Sequence, residues 1–100
     1  MPLFFARKEV FEWLKIGDKT IDVRKGNPRR GEVAVFQSGP SILRLKILKK
    51  ETGRLVEVVH SDNYRLIVPS ALSLGDAFAY LRGFYSDYDG VFTAYYIVQL

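Results

Sequence analysis

The chain has no cysteine, one histidine, one methionine and one tryptophan. Without cysteine there are no disulfides, no thiolate metal sites and no cysteine nucleophile. A single histidine, His60, leaves carboxylates as almost the only metal ligands, so no metal and no cofactor are expected. Long hydrophobic runs are missing as well. The longest, such as Tyr95–Val98, fall far short of a membrane span. The N-terminal stretch MPLFFARKEV lacks the basic region and long apolar stretch of a signal peptide. A cytoplasmic protein with no membrane partner is therefore expected. There are no repeats, low-complexity segments or interdomain linkers.

What the chain does have is apolar and aromatic matter. Hydrophobic residues make up 48% of 100 residues and aromatic residues 14%, enough for one packed domain over 1–100 and too much for disorder. The oligomeric state is not legible, and a monomer is the working assumption. Charge is one-sided. Residues 1–50 hold 12 Lys/Arg against 5 Asp/Glu, and residues 51–100 hold 3 against 6. A basic half suits a polyanion, nucleic acid above all, although lysines and arginines spread over a solvated surface give the same totals.

Periodicity then places the elements. Leu3–Phe5 reads as a short strand. In RKEVFEWLKIG, Val10, Phe11, Trp13 and Leu14 share a helical face, so a helix is expected over about 7–16, ending at Gly17. KTIDVR alternates, with Ile21 and Val23 on one side and Thr20, Asp22 and Arg24 on the other, which predicts a half-buried strand with a polar face. KGNPRRGE is dense in turn residues. EVAVFQ and ILRLKILKK are the next strands, separated by the SGPS turn. Glu51-Thr52-Gly53 is expected to close a hairpin into RLVEVV, and RLIV at 65–68 to add another short strand before Pro69. Ser73 is placed to cap a second helix with Asp76 in its first turn, and Gly83 with the SDYDG loop to end it. VFTAYYIVQL is apolar on both faces and predicts a central strand. The expected fold is α+β: a small, largely antiparallel β-barrel flanked by two helices.

Candidate chemistry concentrates between Gly17 and Arg30. Asp22 and Arg24 fall on one strand face about 7 Å apart, with Lys19 at the strand mouth. Such a group holds a phosphate or carboxylate, with Asp22 orienting the cations, or does acid–base work if burial shifts a pKa. A salt-bridged outer strand face accounts for the same spacing. Lys25, Arg29 and Arg30 sit on or beside a loop restricted by Pro28 and two glycines; they are phosphate contacts or a solvated turn. Arg44, Lys46, Lys49 and Lys50 form a second basic stripe, which makes one groove with that loop only if the two adjoin. His60-Ser61-Asp62 is not a triad, because adjacent residues in a turn cannot converge. Tyr64, Tyr85 and Tyr88 lie near loops and are the tyrosines available to stack on bases.

Gly17-x-Lys19-x-x-Asp22-x-Arg24 follows an amphipathic helix and precedes a basic loop and an apolar strand. That order resembles the ASCH (activating signal cointegrator homology) domain, whose fold is PUA-like and whose signature is Gly-x-Lys-x-x-Glu-x-Arg. Here Asp22 replaces the glutamate, and Gly31-Glu32 replaces the family's Gly-Asp step. The resemblance runs from Leu3 to Leu100. It implies a barrel with a cleft lined by the Lys19–Arg24 strand, holding RNA or a nucleotide-like ligand through Lys19, Asp22, Arg24, Lys25, Arg29 and Arg30. The alternative it carries is a small hydrolase, amidohydrolase- or ribonuclease-like, acting on a modified nucleoside or RNA, with Lys19 and Asp22 catalytic. One branch of relatives uses a Lys-x-x-Thr pair and a distant glutamate. Lys19 matches, but Asp22 stands at the threonine position and no acid lies near Pro69-Ser70, so that chemistry is not expected.

Overall fold

Where the alternation is strictest, strands form. A computed structural model describes residues 1–100. The chain runs β1 (Leu3–Phe5), α1 (Lys8–Ile16), β2 (Ile21–Lys25), β3 (Val33–Ser38), β4 (Ser41–Gly53), α2 (Leu55–Val58), α3 (Tyr64–Ile67), α4 (Leu74–Tyr85) and β5 (Phe92–Gln99). The five strands make one sheet in the order β1-β3-β4-β5-β2. Only the β1–β3 pairing is parallel; the other three are antiparallel. The sheet curls into a half-barrel flanked by helices, as the α+β expectation requires.

β4 makes the curl possible. Its first half pairs with β3 through Ser41–Lys46 and its second half with β5 through Leu45–Gly53. The register shifts between Ile47 and Lys49, and Leu48 is left exposed. A bulge of this kind bends a strand and raises its twist. The alternation inside β4 holds: Leu45 and Ile47 are buried, and Arg44 and Lys46 face water.

Two apolar clusters result, one on each side of β2 and β5. Inside the curl, Phe4, Phe36, Leu45, Tyr95 and Ile97 pack against Val10, Phe11 and Leu14 of α1. On the other side, Ile21, Val23, Phe92 and Ala94 pack against Leu55, Val58, Ile67, Ala77 and Leu81 of α2–α4. Fully burying a side chain such as Leu14 contributes about 1.5–3 kcal/mol. β5 lies between β4 and β2 and is covered on both faces, which is why its sequence is continuously apolar. α1 ends at Gly17, whose φ of 89° belongs to the left-handed region that glycine adopts at little cost.

Residues 51–70 depart from expectation. Glu51–Gly53 do not turn; they continue β4, opposite Ala94, Thr93 and Phe92. RLVEVV and RLIV are not strands but the helical turns α2 and α3. The β-branched residues there suit a strand by propensity, and local satisfaction of the backbone overrides it. Glu57 Oε1 accepts from the Arg54 N–H at 2.7 Å, which starts α2. Asn63, buried, donates from Nδ2 to the Val58 carbonyl at 2.9 Å and accepts the His60 N–H at 2.9 Å. These bonds fold the segment back on itself and leave no ladder edge. The half-barrel therefore has four helices, not two, although only α1 and α4 exceed one turn. α4 begins as expected, with Ser73 Oγ accepting the Asp76 N–H at 3.1 Å. It runs past Gly83 to Tyr85 and ends where the SDYDG loop begins at Ser86.

Candidate functional site: a cleft between α1 and α4 floored by β2

β2 buries both of its faces. Asp22 pairs with Tyr95, whose ring belongs to the cluster inside the curl, so the polar face of the strand points into the half-barrel. An outer, salt-bridged face is excluded: Asp22 is 3% exposed and Lys19 5%. The ladder bonds of β2 run to β5, and its other edge looks across the open side of the half-barrel toward β1.

Two arginines span that opening. Arg24 Nη1 donates to the Phe5 carbonyl at 2.8 Å and Arg29 Nη1 to the Leu3 carbonyl at 3.0 Å. Their guanidinium carbons lie 4.8 and 5.0 Å from the centre of the Phe4 ring. Side chains thus close the seam that a backbone ladder would close in a complete barrel. The loop is held further by the Arg29 N–H donating to Tyr95 OH at 2.9 Å and by Lys50 Nζ donating to the Arg29 carbonyl at 2.6 Å.

Beside the seam lies a cleft of about 370 Å³, within the size range of small-molecule sites. Val10 and Trp13 of α1 form one wall, and Tyr80, Leu81, Phe84 and Tyr85 of α4 the other. Phe5, Ala6 and Arg7 make the rim; Lys19, Asp22 and Arg24 lie at the floor. The walls are aromatic in sequence: Trp13 to Tyr80 is 5.8 Å between ring centres and Tyr80 to Phe84 is 5.3 Å. Arg7 caps the rim, with its guanidinium 4.5 Å from the Phe84 ring centre.

The floor is a buried charge cluster. Asp22 Oδ2 accepts from Arg24 Nε at 2.5 Å, and Oδ1 from Nη2 at 3.4 Å. Lys19 Nζ donates to the Ile21 carbonyl at 2.8 Å and the Ile67 carbonyl at 2.6 Å, and stands 3.8 Å from Asp22 Oδ1. Burial pushes the Lys19 ammonium down from 10.5 to about 8; Asp22 works against that fall, and the Arg24 charge adds to it. Burial also opposes charge on Arg24, but Asp22 outweighs it and the guanidinium is held above its ordinary value.

Of the residues singled out in the sequence, Lys19, Asp22 and Arg24 meet in this cleft. Lys25, Arg29 and Arg30 are not in its lining. Lys25 lies 4.6 Å from the Tyr88 ring centre, Arg29 is on the seam, and Arg30 is exposed. Of the β4 stripe only Lys50 reaches the loop; Lys49 pairs with Glu51 at 3.4 Å. Tyr85 lines the cleft, whereas Tyr64 and Tyr88 do not. Arg7, Trp13, Tyr80 and Phe84 escaped the sequence reading. The i,i+4 spacing of Tyr80 and Phe84, on the face they share with Ala77 and Leu81, is the signal that was there to find.

No family model and no curated protein matches the chain. Among solved structures it is similar to the crystal structure of the hypothetical protein PH0355, with a TM-score of 0.79 and 17% identity over 98% of this chain and 97% of that one. The two share a fold over essentially their whole lengths. No helix is long and apolar enough to cross a membrane.

Proposed function

We propose that this chain is an ASCH-like binding domain that holds RNA or a nucleotide-like ligand by inserting one base into the α1–α4 cleft. The observation that carries this is the pairing of aromatic walls with a buried, polar floor. A base has two apolar faces and a hydrogen-bonding edge. Trp13, Tyr80, Phe84 and Tyr85 suit the faces, since base–aromatic stacking contributes about 1–3 kcal/mol per base. The floor suits the edge. Two of the three Lys19 ammonium donors are spent on carbonyls, and Asp22 Oδ1 has only one bond, at 3.4 Å. One donor and one acceptor thus remain side by side. A nucleobase edge offers that complement, and single-stranded RNA is read in this way, by splaying bases onto aromatic side chains.

Trp13 is the only tryptophan and lines the cleft, so its fluorescence reports occupancy. Titration with nucleosides, nucleotides and short oligoribonucleotides is expected to quench it, and Tyr80→Ala to weaken the quench. No change with any of them sinks the reading.

One observation favours a hydrolase as the second reading. Deprotonated Lys19 keeps two N–H groups for its two carbonyls and has a lone pair left over, and at about pH 8 half the molecules reach that state. Such an amine takes a proton from water as that water attacks an acyl or phosphoryl group, and returns it to the leaving group. Turnover of N-acylated nucleosides or RNA that rises toward pH 8 and disappears in Lys19→Met supports it. No product from any of these substrates removes it.

A further inference from the structure

Cations at the cleft are not equivalent. Lys19 donates to two main-chain carbonyls, and Arg24 donates to Asp22 and to the Phe5 carbonyl. Both are committed to the fold. Arg7 is different. Its side chain makes no hydrogen bond and no ion pair; it is exposed, and its guanidinium carbon lies 4.5 Å from the centre of the Phe84 ring at the rim. Glu9, two residues on, accepts the Tyr80 hydroxyl at 3.2 Å. So the mouth of the cleft carries a guanidinium beside an aromatic ring, with all five N–H donors unspent. A guanidinium beside an aromatic face keeps its N–H donors for another partner, and a pair of them matches a phosphate bidentately.

We propose that Arg7 is an anion-binding residue of this site, and that the ligand is a nucleoside carrying a phosphoryl group, with its base against the aromatic lining of the cleft and its phosphate on Arg7. This rests on the base-binding reading above and extends it. Arg7 lies outside the Gly17–Arg30 segment and lines the cleft, whereas the loop cations Arg29 and Arg30 do not. The phosphate comes either from a free mononucleotide or from an RNA strand, and the chemistry at Arg7 is the same for both.

The test compares three probes by Trp13 quenching: a nucleoside, its 5′-monophosphate, and a short single-stranded oligoribonucleotide of the same base. Each is titrated against wild type, Arg7→Gln and Lys15→Gln. The last removes an exposed charge at the far end of α1 and matches the change in net charge. In wild type the monophosphate is expected to bind about tenfold or more tighter than the nucleoside, the usual gain from a charge-assisted pair. Arg7→Gln should erase that advantage and leave nucleoside binding within about twofold; Lys15→Gln should leave both unchanged. Equal binding of nucleoside and monophosphate in wild type overturns the proposal while leaving base binding intact. So does an equal loss of the phosphate advantage in both variants, since that reports net charge and not a contact. Absence of quenching by every probe removes the base-binding reading itself. The oligoribonucleotide separates the sources. One phosphate contact predicts a log affinity–log salt slope of about −0.7 and no gain over the monophosphate; a tighter complex with a steeper slope identifies RNA as the source.

Discussion

Asp22→Asn isolates the charge at the floor of the cleft. The substitution keeps the shape of the side chain and removes the anion from between Lys19 and Arg24. Arg24 has 22% of its side chain exposed, so water takes over part of the lost interaction. Trading a charge-assisted bond for a neutral one there costs about 1 kcal/mol. Lys19 has 5% exposure and no such relief. Its escape is to give up its proton. With its pKa at about 8, that costs about 1.4 kcal/mol at pH 7, and this sets a ceiling on the Lys19 share. The expected destabilisation at pH 7 is therefore about 2–3 kcal/mol, less than the 3–5 kcal/mol typical of breaking a buried pair.

The pH dependence is the sharper part. Asp22 is what holds the Lys19 pKa up against burial, so its loss drops that pKa below about 8. Between the lowered value and pH 8, the folded variant has shed the proton that folded wild type still binds. Both unfolded chains bind it, because an unburied lysine titrates near 10.5. The variant therefore gains stability with rising pH in that window, by about 1.4 kcal/mol per pH unit, and wild type does not. Above pH 8 the two gain in parallel. Urea denaturation followed by far-ultraviolet circular dichroism at pH 6, 7, 8 and 9 measures the gap. It should be widest at pH 6, narrow toward pH 8 and then stay constant. A gap that is the same at every pH, or that widens with pH, refutes the idea that Asp22 supports a charged Lys19.

Three further outcomes follow from the same geometry. Wild type should gain about 1.5 kcal/mol between pH 8 and 9.5, because folded Lys19 has lost its proton there and unfolded Lys19 has not; Lys19→Met should remove that gain in the same denaturation series. Arg29→Ala removes the bond to the Leu3 carbonyl and should cost about 1 kcal/mol while speeding hydrogen exchange of β1 amides ahead of those in β5. Gly31→Ala puts a Cβ 2.9 Å from Pro2 Cδ at a φ of 122°, and thermal unfolding should show a loss of about 1–3 kcal/mol.

How much of this was legible depends on whether the deciding contact is local. α1 was readable because Val10, Phe11 and Leu14 recur at helical spacing and Gly17 stops them. β4 was readable for the same reason at a period of two, and β3 and β5 as β-branched, apolar runs. α2 and α3 were not, because the side chains that decide them, Glu57 and Asn63, act through bonds to the Arg54, Val58 and His60 backbone that no propensity scale contains. In β2 the alternation separated two faces correctly but could not tell which was buried, since a strand enclosed on both sides looks half-polar when one interior is charged. The cleft walls come from residues 10–13 and 80–85, and no spacing rule joins them.

The cations carry the deepest lesson. The basic excess of residues 1–50 reads as an attraction for a polyanion, yet four of those 12 side chains, Lys19, Arg24, Arg29 and Lys50, donate to main-chain carbonyls. A sheet that curls without closing leaves the carbonyls of its edge strands unpaired, and a buried or half-buried carbonyl needs a donor. Long cationic side chains reach across where backbone cannot. Part of the positive charge, Arg24 and Arg29 above all, is thus what an open barrel requires to seal itself, and its presence says little about a ligand. A cation points to a ligand when its donors are unspent. At the cleft, Arg7 is the one with all of them free, beside the Phe84 ring.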